Sequence, residues 1–200
     1  AFSFFDSAGP TAVNIGVNLT GADSDITILA ADINAGSGIV KLTSATDGIN
    51  KATGGVIHAG SLMLQADNEI IVDTNVTNIA ASNTSGVITI ANTGALNITT
   101  VDVLSGIVAT NGALSVNSSG TITAAQAVTS SSNNTTLTST AGGNIEGTAT
   151  ISGNTVTLNS AGGIGLVTDV PVNFTSAVVL TSTGNTTAGN ITVDLSDEDT

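Results

Sequence analysis

Few side chains in this 200-residue chain can do acid–base or ligand chemistry: one histidine (His58), fifteen Asp and Glu, two lysines (Lys41 and Lys51), no arginine and no cysteine. His58 follows Ile57 in an alternating segment, so it points outward. A lone outward imidazole reads as a surface residue rather than a metal ligand. Asp23 and Asp25 lie two residues apart, as do Asp67 and Glu69, so each pair shares a face of an extended chain. Paired carboxylates can serve glycoside chemistry or bind Ca²⁺. Glycoside chemistry also needs a clustered acidic groove, and these acids are scattered, so the expectation is solvated corners. The Ca²⁺-binding nonapeptide is missing as well, since Gly162-Gly163-Ile164-Gly165 runs on to Leu166-Val167 without the required Asp. The expectation is a protein that is not an enzyme and has no cofactor, with Ca²⁺ the one ion worth testing.

A second chemistry is modification. Asn-X-Ser/Thr occurs at Asn18, Asn75, Asn83, Asn97, Asn117, Asn133, Asn134, Asn173, Asn185 and Asn190, candidate acceptors for glycosylation. The ten sites are about twice the roughly five that composition gives by chance. Strand alternation offers an equally good explanation, because outward polar residues two apart produce sequons automatically. Thr-X-Thr pairs (Thr121/Thr123, Thr136/Thr138, Thr155/Thr157, Thr181/Thr183) suggest a water-ordering array. Gln65, Ala91, Asn117 and Asn159 break that array, and ice binding is not expected.

The formal net charge of −13 excludes most dealings with nucleic acid, which needs a cationic face. It also disfavours anionic membranes, and no apolar run approaches the roughly 18 residues of a membrane span, so no membrane insertion is expected. Hydrophobic residues make up 40% and charged ones 8%, the opposite of a disordered composition. The chain opens at Ala1 without a basic leader and reads as a mature or excised segment.

What positions these side chains is a repeat. An aliphatic residue followed by a polar and a small one recurs at Leu19, Leu42, Leu64, Ile90, Val116, Leu137, Leu158 and Leu180, with spacings of 23, 22, 26, 26, 21, 21 and 22. A period of this length means a solenoid. A second apolar position follows at Ile26, Ile49, Ile70, Leu96, Ile122, Ile145, Ile164 and Ile191, and a third at Ile33, Ile57, Val103, Val128, Ile151 and Val172. Gly48, Gly94, Gly120 or Gly142-Gly143 lies between the first two, where a tight corner needs backbone freedom. Period-two alternation (Val87-Ile88-Thr89-Ile90), abundant Thr, Val and Ile, and scarce helix formers make these segments strands. Leucine-rich repeats would need several Leu per unit, which are absent.

The predicted fold is therefore all-β, a right-handed parallel β-helix of about eight coils with a period of 21–26 residues. Coils stacked at about 4.8 Å would span about 40 Å. Aliphatic columns would fill the interior in place of aromatics, which are only 2% of residues. Ser44, Ala66, Ser118, Ser139, Ser160 and Ser182 are expected at narrow corners, and outward Thr and Asn in neutral ladders.

These phrases resemble the repeats of filamentous-haemagglutinin-type adhesins, the two-partner-secreted surface proteins of bacteria. The closest stretch is 148–165, Thr148-Ala149-Thr150-Ile151-Ser152-Gly153-Asn154-Thr155-Val156-Thr157-Leu158 and onward, with Asp32-Ile33-Asn34-Ala35-Gly36 through Thr43 similar. The resemblance covers roughly 17–195 and implies the right-handed helix, an extracellular or cell-surface location and work as a rigid stalk or adhesive fibre. Some adhesins of this family are modified at sequons. The secretion motif that opens such proteins is not visible. β-Helix polysaccharide lyases share the architecture but use basic catalytic residues, and a chain with no Arg and two Lys fits them poorly.

Three regions follow: an N-terminal segment 1–16 holding Phe2, Phe4 and Phe5, the solenoid 17–195, and an acidic tail 196–200. The three Phe are candidates for an end cap or an inter-subunit contact. Open solenoid ends template pairing, so the partners expected are host or environmental surface ligands, or further copies end to end. Loops at 73–86, 124–134 and 184–190 are expected to carry contacts. The function expected is an adhesin-like rigid fibre displaying those loops, and the alternative is a self-assembling filament or sheath subunit.

Overall fold

The computed structural model describes residues 12–22, 25–28, 31–51, 54–183 and 191–195. Phe2, Phe4, Phe5, Asp23, Asn185, Asn190 and the 184–190 and 196–200 segments lie outside them. Among the described residues there is no helix, and the strands form stacked parallel coils, a β-solenoid of about eight turns. The first strand, Ile15–Leu19, begins slightly before the expected boundary at residue 17.

Three faces make each turn. On the first face the inward residues stack as Val17, Leu42, Leu64, Ala81, Ile107, Val128, Ile151 and Val172. On the second they stack as Ile26, Ile49, Ile70, Ile88, Leu114, Thr135, Val156 and Val178. On the third, Leu96, Ile122, Ile145, Ile164 and Ile191 form one column above the separate stack Ile33, Ile57, Thr74. Alternation sends these side chains inward, and the middle of each column is fully buried. Each strand bonds to the coil above and below, so the ladder satisfies its backbone while the columns bury one another. Thr135 is the polar member of its column, and it donates to the carbonyl of Ser152 at 2.7 Å.

The phasing differs from the predicted one at the first anchor and, with larger effect, in one short coil. Along the first face the steps are 25, 22, 17, 26, 21, 23 and 21 residues, so the period runs down to 17. The short coil is the single 14-residue strand Ile70–Asn83, which passes from the second face through the third to the first without a corner. Its neighbours below need a turn between Ile49–Lys51 and Val56–Ala66. Leu42 and Leu64 therefore belong to the first face, whereas Ile90, Val116, Leu137, Leu158 and Leu180 stack on the second. Leu19 falls under Ser44 rather than Leu42. Of the loops expected, 73–86 is mostly strand, filled by Ile70–Asn83, whereas 124–134 is largely irregular, two short turns on either side of Val128–Ser130.

The small residues do line corners, in two columns. Ser44, Ala66, Asn83, Ala109 and Ser130 close the first face. Thr74, Asn92, Ser118, Ser139, Ser160 and Ser182 close the second. Their hydroxyls tie coil to coil: Ser118 donates to the carbonyl of Gly94 at 2.6 Å, Ser139 to Gly120 at 2.8 Å and Ser182 to Gly162 at 2.6 Å. Backbone contact at these corners is close. A Cβ on Gly112 would lie 1.5 Å from the carbonyl oxygen of Gly86, so no larger residue fits there without moving a coil.

Candidate functional site

The feature that departs most from the repeating coil is an excursion at 99–106, between the third and first faces of the fourth coil. Thr100–Val101 and Leu104–Ser105 pair antiparallel, the one antiparallel pairing among the described residues. Asp102 makes the turn at φ 55°, a conformation Asp tolerates better than most residues. The outward residues of the first face below are unusually apolar here: Met63 and Ala80 stack on each other and are buried against Val101, with Ile39 and Leu104 packed alongside. The hairpin folds down over them, away from its own coil, and makes a second small core outside the tube. Lys41 Nζ reaches Asp102 Oδ2 at 3.0 Å and pins the tip. Ser105 Oγ donates to Gln126 Oε1 at 3.0 Å on the other side. Between these fixings Val103 stands 83% exposed.

The same corner carries a second displayed apolar pair three coils on. After Ile164 the chain turns through Gly165 (φ 65°), leaving Leu166 and Val167 outside, Val167 at 84% exposure. Glu146, only 8% exposed, holds this turn: its two carboxylate oxygens accept from Leu166 N at 3.3 Å and Val167 N at 3.2 Å. These two exposed apolar tips are therefore held by specific hydrogen bonds, in a manner suited to display. Sequence reasoning missed both. The signal for the hairpin was the 26-residue spacing from Ile90 to Val116, with alternation interrupted at Val101-Asp102-Val103-Leu104.

The acidic and basic residues sit mostly as corner fixings. His58 does point outward, and its Nε2 lies 3.3 Å from Asp32 Oδ2. Lys51 pairs with Asp73. Asp25 and Asp47 both accept from Gly48 N, at 3.2 and 3.0 Å, and Glu69 accepts from Asn50 Nδ2 at 3.0 Å. Asp67 and Glu69 lie beside one another on a corner; Asp23, the partner proposed for Asp25, is outside the described residues. Among the described residues no three ionisable ligands gather as a metal would require.

The sequon asparagines divide by burial. Asn18, Asn75, Asn117 and Asn134 are exposed, and Asn97, Asn133 and Asn173 are half-buried. Asn83 is a corner residue, 4% exposed, and its Nδ2 donates to the carbonyls of Asn68, Ser85 and Gly86. In the folded chain that nitrogen cannot meet a sugar donor. Asn97 Nδ2 is likewise engaged, with Asn78 Oδ1 at 3.1 Å.

On the upper coils the second face is a flat polar lattice. One outward row reads Thr89, Ser115, Thr136, Thr157 and Val179, and the next Ala91, Asn117, Thr138, Asn159 and Thr181. Gln65 is not part of this lattice; it lies on the first face. Comparison with family models, with curated proteins and with solved structures finds no match.

Proposed function

We propose that this chain is a segment of a rigid extracellular or cell-surface fibre, similar in kind to the repeats of filamentous-haemagglutinin-type adhesins, that works by display rather than by catalysis. The observation that carries the reading is the hairpin at 99–106, an excursion clamped onto the outside of an otherwise regular stack with an apolar residue held out at its tip. A solenoid is a stiff spacer because every coil is bonded to two others. A bespoke turn that exposes Val103, and a buried carboxylate spent on exposing Leu166 and Val167, serve contact better than they serve stability. Surface ligands of a host or of the environment are the partners this reading calls for, with no nucleic acid, no membrane insertion and no cofactor.

The test is adhesion. The chain is immobilised on beads, and detachment force is measured against host-cell and abiotic surfaces, beside a variant whose 99–106 segment is replaced by the three-residue turn Ala125-Gln126-Ala127 of the next coil. Adhesion that falls in the variant while its melting curve is kept supports display by the hairpin. Equal adhesion in both places any binding elsewhere and leaves the hairpin as an outer brace.

The filament-subunit alternative keeps one supporting observation. At the bottom of the described stack Val17 and Leu19, and at the top Val178 and Leu180, are packed against the core but only half-buried, each with a neighbouring strand on one side.

A further inference from the structure

We infer that the second face of the upper coils is a self-pairing surface, on which two copies of this chain lie face to face and antiparallel. The reasoning does not depend on what the fibre binds. The chain carries −13 formal charges, so two copies repel wherever acid meets acid. From Val87 upward the outward positions of this face hold no ionisable group, in five successive coils. The boundary is abrupt. In the coil beneath, the same positions are taken by Glu69, Ile71 and Asp73, the last of them paired with Lys51. Two such molecules can approach here at little electrostatic cost, over a longer neutral run than the one at Val108, Thr129, Ser152 and Asn173 on the first face.

The side chains suit close approach. Ala91, Ala113 and Ala177 leave gaps among Thr, Ser and Asn, so two flat sheets can interdigitate at the usual spacing of about 10 Å with hydroxyls and amides bonding across. A two-fold axis along the strands, through the coil of Thr136, sets the topmost coil of each copy on the fourth coil of the other, an isologous contact. Val179, 46% exposed, then falls on Thr89 of the second copy and beside its Val87, 39% exposed. The arrangement covers both exposed valines of the face, twice, by one operation.

The area sets the class of contact. Five coils by three rows give a footprint of roughly 500 Å² per copy. A standard stable interface buries about 800 Å² per partner, so the pair is of the weak, transient kind. Along a fibre of many coils the same contact would be multiplied.

Sedimentation equilibrium of the whole chain from about 10 μM to about 1 mM tests this. The expected result is a mass rising from 19.4 kDa towards twice that value. Thr136→Glu, at the centre of the face, should hold the chain monomeric throughout, and Ala125→Glu, adding the same charge at an exposed corner, should not. Asn117→Asp serves as a second face variant should Thr136→Glu melt differently. A wild-type chain monomeric over the whole range overturns the inference. So does association that the face variants leave unchanged, which is what end-to-end stacking would give.

Discussion

Lys41 Nζ lies 3.0 Å from Asp102 Oδ2, joining the tip of the hairpin to a strand three rungs below the one that follows it in sequence. Both partners are about two-fifths exposed, so water and salt screen the pair. Lys41→Met should therefore cost no more than about 0.5 kcal/mol of global stability. Denaturant melts at low and at 1 M salt check this. The difference from wild type should vanish in salt, and a loss of several kcal/mol would mean the pair is far more than a pin.

The apolar seat of the hairpin should matter more. Val101 and Met63 are buried against each other outside the tube, so Val101→Asp puts a charge into an apolar seat whose nearby cation, Lys41, is already engaged by Asp102. Hydrogen exchange should quicken at 99–106 while Leu114–Ser118, held within the ladder, keeps its protection. Equal loosening of both segments would show that hairpin and solenoid unfold as one unit.

Position in the stack sets the cost of a core truncation. Leu158 is fully buried between Leu137 and Leu180, and Leu158→Ala should cost about 3 kcal/mol. Leu180, in the topmost described coil, is half-buried, and Leu180→Ala should cost less than half as much. Chemical denaturation of the two variants side by side decides it.

The corner hydroxyls are structural bonds. Ser160 Oγ lies 2.9 Å from the carbonyl of Gly143 and 3.0 Å from that of Gly163, and it accepts from Gly162 N at 3.1 Å. Ser160→Ala should cost about 1 kcal/mol through the lost hydroxyl bonds alone, because Gly143 O, Gly162 N and Gly163 O keep their backbone partners. An unchanged midpoint would mean water replaces the hydroxyl.

Much of this fold was legible in the chain, and the place where it was not has a physical cause. Val40-Lys41-Leu42-Thr43-Ser44 on the first face and Val156-Thr157-Leu158-Asn159-Ser160 on the second have the same form, because both faces end at a corner that needs two inward aliphatics and a small residue. Such a phrase identifies a corner without saying which one. Away from the third coil several columns read correctly, as Ile122 under Ile145 and Ile26 under Ile49 illustrate, whereas Leu19 falls under Ser44 and Val103, expected at an inward position, is exposed on the hairpin. The strand Ile70–Asn83 drops a corner, and every phrase beyond it moves to the next face. The hairpin was hidden for a related reason: the change of face stretches the step from Leu64 to Ile90 to 26 residues, the same as the hairpin-bearing step from Ile90 to Val116, so neither stood out. The buried role of Asn83 was not visible in a sequon, which records spacing and not burial.

The stacking of Ala81 on Leu64 separates this arrangement from every regular one, and cysteine pairs in a chain that has none report on it directly. Gln65 and Ser82 are outward neighbours in register, close enough for a disulfide, whereas Ala91 belongs to another face. Mild oxidation of Gln65→Cys/Ser82→Cys should give an intramolecular disulfide in high yield, and Gln65→Cys/Ala91→Cys should give none. Cross-linking of the second pair in preference to the first would contradict the short coil and the stacking built upon it.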